Sequence, residues 1–224
     1  MSPLKRIVCL ANSWKLDERC IAGIDLNNGK WIRPVCDSLC PQDGKVPGSV
    51  RLIEGREPEL LDILEIPLAD SGNDFGFECE NLSVLSGQWK CLGKVQPTDL
   101  LPYCGSFTHI LHNSWKYVNP SYLQSLPFHQ RRTLQLVQVV SFSVEQGTSS
   151  KGNAEWRGTI QSPNGQRLVG AKITDPVFVR KLETGYQLQR NCLVTVSLSM
   201  PYRPYSNWEG EDPCWKLIAG VIEI

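Results

Sequence analysis

The pattern of apolar and polar positions is that of β-structure along the whole chain. KRIVCLAN (Lys5–Asn12) is rich in β-branched and apolar residues and reads as a strand. A polar turn, SWKLDE, follows, and then RCIAGIDL, NNGK and WIRPV. Asn28-Gly29 predicts a hairpin, because a type I′ turn needs positive φ at both central residues. Arg19–Leu26 and Trp31–Val35 are therefore expected as antiparallel partners. Gly23 predicts a bulge or sharp bend within the first of them. Residues 36–58 are loop-like, with Pro41, Gly44, Pro47, Gly48, Gly55 and Pro58. LLDILEIPL (Leu60–Leu68) reads as a strand on its Pro67 and β-branched content. FGFECENL and QWKCLGKV add two short strands, and PTDLL one helical turn with Thr98 as its cap.

The second half repeats this plan. PSYLQSL (Pro120–Leu126) is a short helix between prolines. RTLQLVQVVSFSVEQ alternates cleanly and predicts one long strand. EWRGTIQ, SPNG and QRLVGAKITD form a second hairpin with Asn164-Gly165 at its turn. PVFVRKLETG (Pro176–Gly185) opens with proline and closes with glycine, as helices do, and Asp175 is its expected cap. CLVTVSLSM and CWKLIAGVIEI are closing strands. Two echoes support a duplication: NSWK at Asn12–Lys15 and Asn113–Lys116, and IAG in RCIAGIDL and KLIAGVIEI. About five strands per half matches an OB-fold, a small Greek-key barrel. The expected fold is thus all-β with a few short helices, as two tandem OB-like barrels packed together over residues 1–104 and 105–224. The C-terminal strand is a candidate to return to the first barrel. A pair of SH3-like barrels or one large β-sandwich fits the strand count as well.

Composition narrows the function classes. In 224 residues, 23 Lys and Arg balance 23 Asp and Glu, so a protein gripping duplex through many phosphates is not indicated and any nucleic-acid contact must be a local patch. Glu54, Glu57, Glu59, Asp62, Glu65, Asp70, Asp74, Glu78 and Glu80 make an acidic segment that reads as a solvated face. Nine cysteines, no secretory leader and no membrane-length apolar run point to a cytoplasmic protein with reduced thiols. A zinc site is disfavoured, because Cys36 and Cys40 have no second close pair and His109, His112 and His129 lie far along the chain. Cys9, Cys20 and Cys192 read as small apolar core residues.

KRIVCLANSWKLDERCIAGIDLNNGKWIRPV (Lys5–Val35), the terminal DPCWKLIAGVIEI (Asp212–Ile224) and TDPVF (Thr174–Phe178) together resemble the dual OB-fold family of bacterial proteins. The resemblance implies two OB-folds in tandem. It further implies recognition of a nucleic acid or nucleotide, in the setting of prokaryotic defence. It carries no established reaction, and fold alone does not fix function.

No phosphate loop, dinucleotide fingerprint, zinc-protease or nucleophile-elbow motif is present, and no cofactor is indicated. The EGEDPCWK segment offers Glu209, Glu211, Asp212 and Lys216, a set that would have to converge to act as a metal nuclease. A solvated loop is the simpler reading. A non-catalytic role is preferred. Single-strand binders line a basic groove with aromatic faces, and Trp14-Lys15, Trp31 with Arg33, Trp115-Lys116, Trp156-Arg157, Tyr202-Arg203 and Trp215-Lys216 offer that pairing. Trp31 and Arg33 share one strand face, with Arg19 expected across the hairpin. The candidate nucleic-acid-binding residues are Lys15, Arg19, Trp31, Arg33, Lys116 and Lys216. The partner is then single-stranded nucleic acid or a nucleotide. The alternative is a scaffold whose Trp and Arg surfaces meet a protein partner.

Overall fold

A computed structural model describes residues 3–149, 152–187 and 191–224. The first half contains β1 (Leu4–Lys15), β2 (Glu18–Ile24), β3 (Trp31–Val35), a single-turn helix α1 (Gly48–Arg51), β4 (Asp62–Pro67), β5 (Asn81–Ser83) and β6 (Lys90–Lys94). Their order in the sheet is β5-β3-β2-β1-β4-β6. β3 and β5 run parallel, and a bridge between Leu68 and Val84 joins the end of β4 to the end of β5. The strands therefore close on themselves in the circuit first, second, third, fifth, fourth, first, with β6 added outside β4.

The second half runs β7 (Tyr117–Val118), α2 (Pro120–Ser125), β8 (Leu134–Val139), β9 (Ser141–Thr148), β10 (Ala154–Gln161), β11 (Arg167–Lys172), α3 (Pro176–Glu183), β12 (Cys192–Leu198) and β13 (Cys214–Glu223). The single long strand expected here is interrupted at Val140. β8 pairs with β12 while β9 pairs with β10, so one bent strand serves both walls of a barrel. β13 pairs with β12, and a parallel bridge between Ile173 and Ile218 joins the end of β11 to β13. The circuit is the same as in the first half, with β8–β9 as its first strand and β7 added outside β13. Both halves are OB-type barrels, and the fold is all-β with few, short helices, as expected.

The duplication is real in topology, but the sequence echoes do not mark it. The first NSWK is the paired end of β1, with Asn12 opposite Ile21 and Lys15 opposite Glu18. The second lies in irregular chain leading into β7. The two IAG segments fall in the second strand of one barrel and the fifth of the other. They share a different property, close approach to β1. A Cβ on Gly23 would press into the Val8 carbonyl, and one on Gly220 into the Leu10 carbonyl. Thr195 Oγ1 also donates to the Leu10 carbonyl, at 2.7 Å. The Asn-Gly turns do occupy equivalent places, between second and third strands. Only their glycines have positive φ, +69° at Gly29 and +83° at Gly165, so neither turn is type I′. The first is instead held by the Asp25 carboxylate, which accepts from Asn27 N and Asn28 Nδ2.

Local chemistry sets the helices. Asp175 Oδ1 accepts from Val177 N and Phe178 N, capping α3 as expected, while Oδ2 accepts from Val221 N and ties the helix to β13. The turn at Pro97–Tyr103 is capped reciprocally by Gln96 and Asp99 rather than by Thr98.

Each barrel has its own apolar core. Ile7, Ile21, Leu64, Ile66 and Trp89 fill the first. Val137, Phe142, Ile160, Phe178, Val194 and Ile218 fill the second. Two further clusters are shared: Val8, Leu10 and Ile24 with Leu136, Leu193 and Ile222, and Ala11 and Ala22 with Leu134 and Ala219. β1 is thus the strand on which the halves meet. The C-terminal strand packs against β1 but pairs with β12 and β7, so among the described residues it joins no ladder of the first barrel. The acidic segment is a solvated face only in part: Glu54, Glu59 and Asp70 are exposed, and others are drawn inward into ion pairs. Asp62 is wholly buried between Arg56 and Lys94, Glu78 is buried on Arg33, and Glu57 and Glu65 pair with Arg51 and Arg6.

Candidate nucleic-acid interface

The residues singled out from the sequence separate into three environments. Arg33 and Lys216 are interior. Arg33 is 2% exposed, with Nη1 2.5 Å from Glu78, a hydrogen bond to Asn81 Oδ1, and Nη2 2.9 Å from Thr133 Oγ1. Glu80 accepts from Thr133 N and Oγ1 and from Leu134 N. This buried network ties β3 and the approach to β5 to the start of β8. Burial alone would lower the Arg33 pKa, but Glu78 beside it wins and the net shift is upward, whereas burial pushes the Glu80 carboxyl up. Arg33 is a structural ion pair, not a surface phosphate contact. Lys216 is 3% exposed, and its Nζ donates to the Ile110 carbonyl at 2.6 Å and to the carbonyl and Oδ1 of Asn113. Burial brings its pKa down to about 7.

Lys15, Arg19 and Trp31 are half-buried and already engaged. Lys15 Nζ donates to the Asp43 backbone carbonyl, and Arg19 lies over the Trp14 ring with Glu57 4.0 Å away. Trp31 packs against the alanines shared by the barrels. Arg19 also pairs with Trp14 and bridges Val46, while the β2–β3 ladder matches Gly23 with Ile32 and Ile24 with Trp31. The structure therefore does not bring Trp31, Arg33 and Arg19 together as one open patch.

Lys116 is exposed, and it sits beside the feature that the dipeptide pairings touched only in part. Six aromatic rings from two distant segments meet on the second barrel. Trp215 at the start of β13 lies opposite Tyr117 of β7, ring centroids 5.5 Å apart. Trp208 packs on both, at 5.5 Å from Tyr117 and 6.0 Å from Trp215. Tyr205 extends the row from Trp208, Tyr202 from Trp215 and Trp115 from Tyr117. Trp115 is 66% exposed, and Tyr202 and Tyr205 are exposed too. The cluster is held by backbone acceptors: Trp215 Nε1 donates to the Tyr202 carbonyl and Trp208 Nε1 to the Glu211 carbonyl.

Asn113 and Lys216 fix the Trp115 end. Asn113 Oδ1 accepts from Trp115 N, and its Nδ2 donates to the Tyr117 carbonyl. Lys216 pins Asn113 from below, so it positions the platform from the interior. The outward face of β10 and β11 borders the rings. Gly158 and Ala171 face inward and are buried or in contact with core side chains, which leaves Arg157, Gly170 and Lys172 outward. Lys116 Nζ lies over Gly170. Arg157 and Lys172 share Glu155, at 2.7 and 3.1 Å. Burial raises the Tyr202 pKa, with a further contribution from the nearby Glu155 charge. Lys116, Arg157 and Lys172 thus flank the rings.

Tyr117, Tyr205 and Trp208 escaped the sequence reading: Tyr117 follows Lys116, but that lysine was paired with Trp115, and neither Tyr205 nor Trp208 has an adjacent basic residue. The available signal was aromatic density in the polar 199–213 connection. The carboxylates of EGEDPCWK do not converge: Glu211 accepts from Ser121, Asp212 pairs with Arg203 at 3.0 Å, and Lys216 is turned inward. Among the described residues no three His, Cys, Asp or Glu side chains form a metal-binding group, and no helix is long and apolar enough to cross a membrane.

Three of the six rings, Tyr202, Tyr205 and Trp208, lie in the connection between the fourth and fifth strands of this barrel, Trp215 opens the fifth strand, and the cluster borders the second and third. In OB-folds these are the elements that contact oligonucleotides and oligosaccharides. Two closed five-stranded barrels sharing a core define a dual OB-fold protein, a class that commonly binds nucleic acids or proteins. The family model for the dual OB-containing domain matches residues 5–221, and the chain belongs to that family. No curated protein and no solved structure matches it.

Proposed function

We propose that the protein is a non-catalytic module that binds single-stranded nucleic acid on the second barrel, in the setting of prokaryotic defence that the sequence resemblance implies. The observation that carries this reading is the six-ring cluster with three exposed members beside Lys116, Arg157 and Lys172. Aromatic faces stack bases without regard to sequence, and a few cations track the backbone. The predicted contacts of the first barrel are interior or already bonded, and Arg19 meets the single exposed ring of Trp14, whereas Arg157 and Lys172, although they share Glu155, lie beside the exposed rings of the cluster.

The test is fluorescence anisotropy of labelled single-stranded DNA and RNA, titrated at several salt concentrations. With three flanking cations and about 0.7 per neutralised single-strand phosphate, the log–log salt slope is expected near −2. Trp115→Ala is expected to weaken binding about 5- to 150-fold, the equivalent of 1–3 kcal/mol for one stacked base. Absence of binding to either nucleic acid would overturn the reading. It would favour a protein partner for the same rings, since Trp, Tyr and Arg are also the anchors of protein interfaces and the chain carries no net charge.

A further inference from the structure

A second site lies away from the aromatic cluster, at the other end of β10 and β11. The hairpin turn between these strands, the 104–110 segment and β8 line a half-open pocket of about 220 Å3. At about 30 Å3 per water this is the space of roughly seven waters, which suits a planar ring system of about ten heavy atoms and is below the 300–1,000 Å3 of drug-sized sites. Val137 and Ile110 give it an apolar floor. No charged side chain is among its lining residues.

The polar groups at its wall are neutral and unspent. Gln135 is 7% exposed and its Oε1 accepts from Leu111 N. His109 Nδ1 is buried with no hydrogen-bond partner. Gln138 and Gln166 make no side-chain hydrogen bond. Buried polar atoms normally find partners, and His109 Nδ1 is the one buried atom of this wall without one, while the exposed Gln138 and half-buried Gln166 amides are left to water, so a ligand seated here would supply the missing partner and replace that water. The frame is rigid. Asn164 Nδ2 donates to the Phe107 carbonyl at 2.7 Å and ties the hairpin turn to the 104–110 segment. The Phe107 ring lies against Gly105, where a Cβ would be 2.8 Å from it, and under the Arg132 guanidinium at 5.0 Å.

We propose that this pocket binds a nucleobase. Carboxylate, phosphate and amino-acid ligands lack a charged counterpart there. Side-chain amides present a donor and an acceptor together and match the edge of a base, as Asn and Gln do with adenine. The base is either that of a free nucleoside or one turned out of a strand. The site is independent of the aromatic cluster.

Adenosine, guanosine, cytidine and uridine are titrated separately, with NMR detection of the Gln side-chain amides and the His109 ring. At least one nucleoside is expected to give saturable shifts. Gln138→Ala/Gln166→Ala, which removes two side chains that hold nothing else, is expected to weaken that binding at least tenfold with an unchanged unfolding temperature. Trp115→Ala is expected to leave it unchanged. Competition by an oligonucleotide carrying the preferred base identifies a strand as the source, and lack of competition a free nucleoside. No saturable shift with any of the four, or equal affinity in the double variant, overturns the proposal.

Discussion

Arg33→Met separates the structural account of this residue from the expectation that it contacts phosphate. The substitution keeps most of the side-chain volume and removes the guanidinium. Glu78, 2% exposed, is left with Asn81 Nδ2 as its neighbour, and Glu80, 6% exposed, stands beside it. Removing one partner of a buried ion pair costs about 3–5 kcal/mol, because the remaining charge stays out of water unpaired. For a chain of this size each kcal/mol lowers the unfolding temperature by about 2–4 °C, so a drop of roughly 6–20 °C is expected. Arg33→Met/Glu78→Met removes both charges and is expected to recover part of the loss, with a coupling above about 1 kcal/mol in the double-mutant cycle. Circular dichroism during thermal and urea unfolding reads both quantities. Arg33→Met with unchanged stability and abolished oligonucleotide binding would refute the reasoning and return Arg33 to the surface role.

Other perturbations address the remaining parts of the structure. Lys216 binds its proton up to about 10.5 when unfolded but only to about 7 when folded, so its contribution to stability rises with pH above 7. The difference in unfolding free energy between wild type and Lys216→Met is expected to grow in favour of wild type between pH 7 and 9, and the unfolded thiols, half ionised at 9.0, are common to both proteins and cancel. A flat difference would contradict the buried placement. Asp175→Ala removes the α3 cap and orphans Val221 N, a combined cost of about 1.5–5 kcal/mol readable by urea denaturation. Gly220→Val forces β13 away from the Leu10 carbonyl and is expected to cost at least about 1–3 kcal/mol by the same assay, where an exposed valine would cost little.

Much of the fold was legible because OB-type strands announce themselves locally. Runs of β-branched and apolar residues between Asn-Gly and proline signals located nearly every strand except β7, and proline and aspartate placed α3. The bend at Val140 was missed although the phase of the alternation slips there, with Val139 and Val140 adjacent, and the pairing of β8 and β9 with different partners shows the slip to be a break between two strands. The acidic segment misled in part, because a carboxylate in sequence shows its charge and not its partner. Asp62 meets Arg56 and Lys94, and Glu78 meets Arg33, only after the barrel closes. The site was legible in the same partial way. Trp115-Lys116, Tyr202-Arg203 and Trp215-Lys216 stood out as dipeptides, but a dipeptide does not say which neighbour faces water. In β13 the alternation turns Trp215 out and Lys216 in. The meeting of residues 115–117 with 202–215 depends on β7 pairing with β13, a two-residue ladder with little sequence signal of its own.

The proposed binding of single-stranded nucleic acid on the aromatic face of the second barrel can be tested on the tryptophans themselves. The most direct measurement is quenching of intrinsic tryptophan fluorescence by unlabelled single-stranded oligonucleotide, comparing wild type, Trp115→Phe and Trp31→Phe. Saturable quenching that is largely lost in Trp115→Phe and kept in Trp31→Phe is the predicted result. Quenching that survives Trp115→Phe but disappears with Trp31→Phe would contradict the account and move the site to the first barrel.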